Sequence, residues 1–424
     1  MKTLIRNGRI IDPANRRDEI ADLLIVDGTI APAAEQPDRE TEEIEAAGLI
    51  VSPGLIDIHV HLREPGAAWK ETIETGARAA AAGGFTTIVC MPNTSPVADS
   101  PSTIAWIKGR ALKACVRVLP AGAISKNLEG EELAPIASLA QAGVVAVTDD
   151  GHCIQNNELM RRAVEYARMV GVAVMDHCQD YNLVGDGIVH EGSWSTLLGL
   201  PGWPSAGEEA IVGRNILLAE SCGHQIHCQH LSAAGSVRLL REARGRGVKI
   251  SGEVCPHHIA LTDESIQDFD TNFKMNPPLR TQRDIDALLE GIADGTIEIL
   301  ASDHAPHAGF EKEVEFDRAP FGILGLETEL GLFLDRIVHK QKATDLPRLI
   351  AMLTVNPARL LSLNAGTLSP GAAADITLID PDLEWTVDAR GFQSLSRNTP
   401  FNGWNLKGRA VRTIVGGNTV WQLG

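Results

Sequence analysis

The stretch DIHVHLREPG, residues 57 to 66, sets His59 and His61 two positions apart in a β-branched, apolar run and follows them with Arg63. Alternate side chains of a β-strand share a face, so the two imidazoles stand side by side. Neutral imidazoles placed this way can share a metal ion. They can also be two polar residues on a wet sheet, and the pair alone does not choose between these readings. The later stretches TDDG, DHCQD, CQHLS and SDHAPH add Asp149, Asp150, His177, His230, Asp303 and His307. Imidazole and carboxylate suit zinc and similar divalent ions. Four histidines and two aspartates exceed what one tetrahedral ion needs. They suit two ions joined by a bridging carboxylate, which Asp150 or Asp149 can supply. Each residue alone has an ordinary reading, as a hydrogen-bonded barrel histidine or as a cap or turn aspartate. The joint pattern favours the metal.

A second group, Arg63, Asn93, Asn276 and His307, lacks ligand spacing. Arg pairs bidentately with carboxylates, and Asn offers both a donor and an acceptor to an amide edge. These residues expect a small anionic substrate carrying amide groups. The alternative for Arg63 is an ion pair with Glu64 or Glu71. In KMNPPLR, Pro277 and Pro278 exclude a helix interior and make a rigid loop. FGILGLET contains glycines that allow close backbone approach. His257 and His258, at the end of the seventh strand, are left without a role in this pattern, with support of the ligands from behind as the alternative reading.

These residues must be positioned by a frame. From about residue 54, Val/Ile-rich runs alternate with amphipathic Ala/Leu/Glu/Arg stretches. The strand candidates cover 54–62, 85–93, 116–124, 143–151, 171–178, 225–232, 249–258 and 297–307. Eight βα units predict an α/β fold, a (β/α)8 TIM barrel spanning 54–364, with inserts after the fifth strand and around the eighth. A doubly wound sheet is the competitor, but no GxGxxG follows the first strand. The metal and substrate candidates fall at strand ends, where barrel chemistry gathers. Residues 1–53 and 365–424 read as short strands with tight turns, and predict a small discontinuous β-sandwich domain built from both chain ends.

The chain has 424 residues and a formal charge of −17, which argues against nucleic-acid and membrane-surface partners. The first residues do not read as a signal peptide, and no apolar run is long enough to span a bilayer. Seven cysteines without a CxxC pair read as reduced thiols, which predicts a cytoplasmic protein.

The stretches PGLIDIHVHLREPG, MPNT, TDDG, DHCQD, CQHLS, KMNPPLR, SDHAPH and FGILGLET together resemble the amidohydrolase superfamily, and within it the bacterial class I dihydroorotases. The resemblance covers essentially the whole chain. It implies that His59, His61 and Asp303 bind a first zinc ion, that His177 and His230 bind a second, and that Asp150 bridges them. Many relatives bridge their metals with a carboxylated lysine. The TDDG sequence matches the subgroup that uses aspartate, and makes a single retained ion the alternative to two. The resemblance further implies that Asp303 is the catalytic acid/base, and that His61, Arg63, Asn93, Asn276, His307 and the backbone at Phe321 and Gly322 hold substrate. The implied reaction is the reversible, zinc-dependent cyclisation of N-carbamoyl-L-aspartate to L-dihydroorotate in pyrimidine biosynthesis. A homodimer and a complex with aspartate transcarbamoylase are the implied assemblies. The rival readings are an allantoinase or dihydropyrimidinase, and a catalytically silent partner of the transcarbamoylase.

Overall fold

The computed structural model describes residues 2–32 and 35–424. Eight parallel strands follow one another around a barrel: β1 (Leu55–Val60), β2 (Phe85–Cys90), β3 (Arg117–Gly122), β4 (Ala146–Val147), β5 (Ala173–Asp176), β6 (Ile226–Cys228), β7 (Ile250–Val254) and β8 (Ile299–Leu300). Each pairs with the next in parallel register. The ring closes where Val60 bridges His304 and the His61 N–H donates to the His304 carbonyl at 2.8 Å. The predicted barrel is therefore present, and all eight strand runs lie inside their expected ranges. Ile56, Ile58, Val89, Ala121, Ala146, Met175 and Ile299 come from six of the strands and pack into one cluster. That is expected of a side-chain-filled barrel.

The crossover helices form where apolar residues recur at helical spacing between a polar cap and a glycine. Ile73–Gly83 starts from Thr72, whose side chain accepts from the Thr75 N–H, and ends at Gly84 with φ 96°. Asn157–Val170, after β4, is capped by Asn156 and ends at Gly171. The expected inserts are present. The segment after β5 holds a short parallel strand pair, Val189–His190 with Gly202–Trp203. The segment after β8 carries the short helix Gly309–Lys312.

The two chain ends meet in one eight-stranded sheet. Ile50–Pro53 is its seam, parallel to Lys2–Asp12 and antiparallel to Ile376–Thr386. The same strand runs directly into β1, so the sheet fixes the point where the barrel begins. The sheet curls over its own apolar core, including Ile5, Ile25, Ile44, Ile376 and Ile414. Its hairpin tips touch, and a Cβ on Gly28 would lie 2.8 Å from the Gly416 carbonyl oxygen. Asp27 and Gly28, at φ 48° and 79°, make the tight turn that an Asp-Gly pair predicts. Arg117 on β3 donates from two nitrogens to Asp375, at 2.6 and 3.0 Å, and ties the sheet to the barrel.

Candidate active site

The strand ends β1, β4, β5, β6 and β8 bring His59, His61, Asp150, His177, His230 and Asp303 together around one carboxylate. Asp150 Oδ1 lies 3.1 Å from His59 Nε2, and Oδ2 lies 3.2 Å from His61 Nε2. On the other side, His177 Nδ1 and His230 Nε2 each lie 3.6 Å from Oδ1 and 2.8 Å from each other. Asp303 Oδ1 completes the first group, 3.1 Å from His61 Nε2 and 3.6 Å from His59 Nε2. Two ligand clusters therefore share Asp150.

This donor set fits metal. Ligands bonded at about 2.0–2.1 Å in a tetrahedron stand about 3.3 Å apart, close to the spacings found. His59 Nε2 and Asp150 Oδ1 are buried and have no hydrogen-bond partner, the condition of atoms that expect a cation. Burial pushes the Asp150 carboxyl up, but His59, His177 and His230 outweigh it and hold the group well below the usual carboxylate range. Asp303 is treated alike: burial raises it, and His59 and His61 more than reverse the effect. Both aspartates are thus anionic, ready to ligate or to accept a proton.

Local structure explains the placements. Asp57 accepts the His59 N–H at 2.9 Å, at a register irregularity where β1 leaves β2, and also accepts from the Ser302 hydroxyl. Asp149 turns away from the site: it accepts the Ile124 and Ser125 N–H groups at 2.8 and 2.9 Å and the Ser125 hydroxyl. The choice between the adjacent aspartates falls on Asp150 for this reason. Arg63, His230 and Asp303 hold φ of 59°, 32° and 48°. Left-handed backbone at non-glycine residues costs of order 1 kcal/mol each and clusters at functional sites.

A cavity of about 320 Å³ opens over the aspartates, lined by His61, Arg63, Asn93, Asn276, His307, Phe321 and Gly322 among others. Every proposed substrate contact thus faces one space, while His59 lies fully buried behind it. Arg63 does not take either carboxylate offered by its sequence neighbours. Glu64 faces Arg110 at 3.5 Å, and Glu71 faces His304 at 3.4 Å and the Ser394 hydroxyl. Arg63 Nε donates instead to the Pro306 carbonyl at 3.2 Å. Burial brings its guanidinium down to about 10, so it stays charged at neutral pH. His307 is pushed down to about 2 by burial and by Arg63, and is neutral. Its Nε2 donates to the Phe321 carbonyl at 2.8 Å, a tautomer assigned from this bond.

The backbone at Phe321 and Gly322 lines the cavity and is itself hydrogen-bonded. The Gly322 N–H already donates to the Lys274 carbonyl at 3.0 Å, and its carbonyl accepts from Asn398 at 3.2 Å. Gly322 shapes the cavity wall: at φ 121°, a Cβ there would come 2.6 Å from the Ala305 Cβ. The loop from 307 to 321, rich in charge, is anchored by buried lysines. Lys312 donates to the Thr271 and Pro320 carbonyls at 3.0 and 2.8 Å, and Lys274 to those of Phe316 and Asp317 at 2.8 and 2.9 Å.

Three supports went unread in the sequence. Glu253 on β7 takes His59 Nδ1 at 2.6 Å and His227 Nε2 at 3.0 Å, leaving His59 Nε2 for the metal side. Its signal was the one charged residue in the fully buried strand Ile250–Val254, which needs a buried partner. Gln179 Oε1 lies 2.9 Å from His177 Nε2 and accepts from Asn276 Nδ2 at 3.3 Å. Asn398, from the C-terminal segment, accepts the His307 N–H at 3.0 Å. His257 and His258 touch none of the ligands by hydrogen bond; His258 Nε2 donates to the Pro277 carbonyl at 3.0 Å.

Known proteins resemble this chain along its whole length. A family model described as dihydro-orotase-like matches residues 48–236. The dihydroorotase of Pelotomaculum thermopropionicum is 53% identical over 423 residues, covering 100% of this chain and 99% of that protein. The dihydroorotase of Geobacter sp. strain M21 is 49% identical over 427 residues, covering 100% of both. Among solved structures, the L-hydantoinase (dihydropyrimidinase) of Arthrobacter aurescens superposes with a TM-score of 0.89 at 26% identity, covering 100% of this chain and 96% of its own. The dihydropyrimidinase of Brevibacillus agri shares the fold, with a TM-score of 0.87 at 24% identity.

Proposed function

We propose that this chain, which belongs to the dihydroorotase family, interconverts N-carbamoyl-L-aspartate and L-dihydroorotate with two zinc ions held about Asp150. The chain is a cyclic amidohydrolase, and one observation carries the choice of substrate. Among the described residues no carboxylate pairs with the Arg63 guanidinium, which faces a cavity otherwise built from neutral amides and imidazoles beside acidic ligands. A charged guanidinium left this way calls for a carboxylate on the ligand. Dihydroorotate carries one; the ring substrates of hydantoinases commonly do not.

His59, His61 and Asp303 would hold one ion, His177 and His230 the other, with Asp150 shared. When bound, such ions supply a water of lowered pKa and polarise the scissile carbonyl. Arg63 binds the substrate carboxylate, and Asn93 and Asn276 orient the ring amide, which places the reacting carbonyl over Asp150 and Asp303. Asp303, anionic at rest, takes the proton of the attacking water. It returns that proton to the ring nitrogen as the C–N bond breaks, and runs the same path backwards in cyclisation.

Seven free cysteines are consistent with a reducing cytoplasm, and among the described residues no helix is long and apolar enough to cross a membrane. Aspartate transcarbamoylase, which makes the substrate, is the partner to test by co-purification, and a homodimer by sedimentation. The deciding experiment is a substrate panel of dihydroorotate, hydantoin, dihydrouracil and allantoin. The expected result is turnover of dihydroorotate, with the others at least about 100-fold poorer in kcat/KM, as loss of a charge-assisted pair worth about 3 kcal/mol requires. Preference for dihydrouracil or hydantoin would overturn the assignment.

A further inference from the structure

Directly beyond β7, the sequence CPHH places Cys255, His257 and His258 on the entry to a short helix, Pro256–Ala260. One ligand atom from each lies within 4.8 Å of the other two. All three side chains are buried, at 0%, 1% and 2% exposure. The imidazole rings sit 4.2 Å apart at 58°. Of their four ring nitrogens only His258 Nε2 has a partner, the Pro277 carbonyl; both nitrogens of His257 and Nδ1 of His258 have none. Buried polar atoms without partners cost about 1–3 kcal/mol each and are uncommon in folded proteins. Three such nitrogens in one cluster, with a thiol beside them, describe a set of donors awaiting a cation.

We infer that Cys255, His257 and His258 form a third metal site, which takes one soft or borderline ion of the zinc, cobalt(II) or cadmium class. One thiolate and two imidazoles are the ligands such ions select, whereas magnesium and calcium require oxygen. The surroundings favour a cation, since the carboxylates of Asp303, Glu253, Glu329 and Asp57 all bear on the Cys255 thiol. Burial, followed by these anions, holds that thiol protonated without an ion. Binding therefore replaces the S–H bond with a sulfur–metal bond and releases one proton to solvent. The site shares no ligand with the Asp150 centre, whose donors are all nitrogen and oxygen. A sulfur-bound ion is thus distinct from that centre, and its loss on removal of Cys255 assigns it to this cluster, whatever the outcome for the catalytic reading.

The test is the full-length protein expressed with cobalt(II) in place of zinc, which loads buried sites during folding. Wild type is expected to show a near-ultraviolet sulfur-to-cobalt charge-transfer band. Cys255→Ala is expected to lose the band and to hold one ion per chain fewer by elemental analysis. His257→Gln keeps the thiol and is expected to weaken the band's cobalt affinity at least tenfold. Absence of the band in wild type would overturn the inference, as would its survival in Cys255→Ala. If Cys255→Ala fails to fold by circular dichroism, His257→Gln decides, and an unchanged band in that variant refutes the site.

Discussion

Glu253 offers the sharpest test of how the metal ligands are held. Its two carboxylate oxygens take His59 Nδ1 at 2.6 Å and His227 Nε2 at 3.0 Å, with all three side chains fully buried. Glu253→Gln keeps the shape and one acceptor for His59 Nδ1–H. His227 can reverse its tautomer, accept from the new amide and donate to Ser251 Oγ, 2.9 Å away. What is lost is the charge. A charge-assisted hydrogen bond contributes about 1.5–3 kcal/mol, against about 1 for a neutral one. The difference of about 0.5–2 kcal/mol corresponds to zinc affinity weakened by about 2–30-fold. That agrees with the usual penalty for removing the partner of a ligating histidine. Glu253→Ala removes both acceptors, leaving two buried ring nitrogens unpaired, and adds about 1–3 kcal/mol for each to the loss of stability. Competition with a calibrated chelator reads the affinity, and urea unfolding reads the stability.

A pH series adds a signed check on the same residue. Burial raises the Glu253 carboxyl, but His59 and His227 outweigh it and hold it at about 2, below its ordinary 4.5. The stability this anion contributes is therefore fully present above pH 4.5 and is lost as the pH falls towards 2. The gap between wild type and Glu253→Gln should close over that window. Zinc affinity unchanged in both variants would refute the orienting role, as would a stability gap that widens in acid.

Arg63→Ala should raise KM for dihydroorotate by about 10–100-fold, matching about 1.5–3 kcal/mol for a charge-assisted pair, with a smaller change in kcat. Steady-state kinetics that leave KM unchanged would contradict this. Asp303→Asn should cut kcat by at least about 100-fold with secondary structure intact by circular dichroism, the usual scale for a lost acid/base. Near-normal turnover would refute its role. Gln179→Ala frees both His177 Nε2 and Asn276 Nδ2, and should lower zinc affinity and raise KM together, whereas a purely structural role would move stability alone. Gln179→Glu, which keeps an acceptor for both, should recover much of the loss.

The parts of this site legible in the sequence were those whose chemistry is local. A strand with period two made His59 and His61 neighbours, and the recurring βα rhythm sent Asp150, His177, His230 and Asp303 to one end of a barrel. Asp149 and Asp150 could not be told apart, because both carry the same group. The backbone N–H groups of Ile124 and Ser125, on a different strand end, decide which one turns inward. Arg63 had credible partners in Glu64 and Glu71. Only their capture by Arg110, His304 and Ser394 leaves it without a carboxylate partner. Asn398 was out of reach, since it enters from a segment 91 residues beyond His307 that sequence periodicity assigns to the other end of the fold. Lys274 precedes the KMNPPLR prolines and Lys312 lies in the loop after β8, and neither stands out in the sequence. Burial of Lys274 and Lys312 among backbone carbonyls is a tertiary event without local pattern.

The central claim is tested most directly by measuring dihydroorotate hydrolysis and zinc content on the same sample through chelation and graded reloading. Activity should vanish in the stripped protein and return in proportion to zinc bound at His59, His61, Asp150, His177, His230 and Asp303, and Asp150→Ala should bind less zinc and stay inactive. Full turnover by metal-free protein would contradict the account, as would a fully zinc-loaded enzyme that leaves dihydroorotate intact.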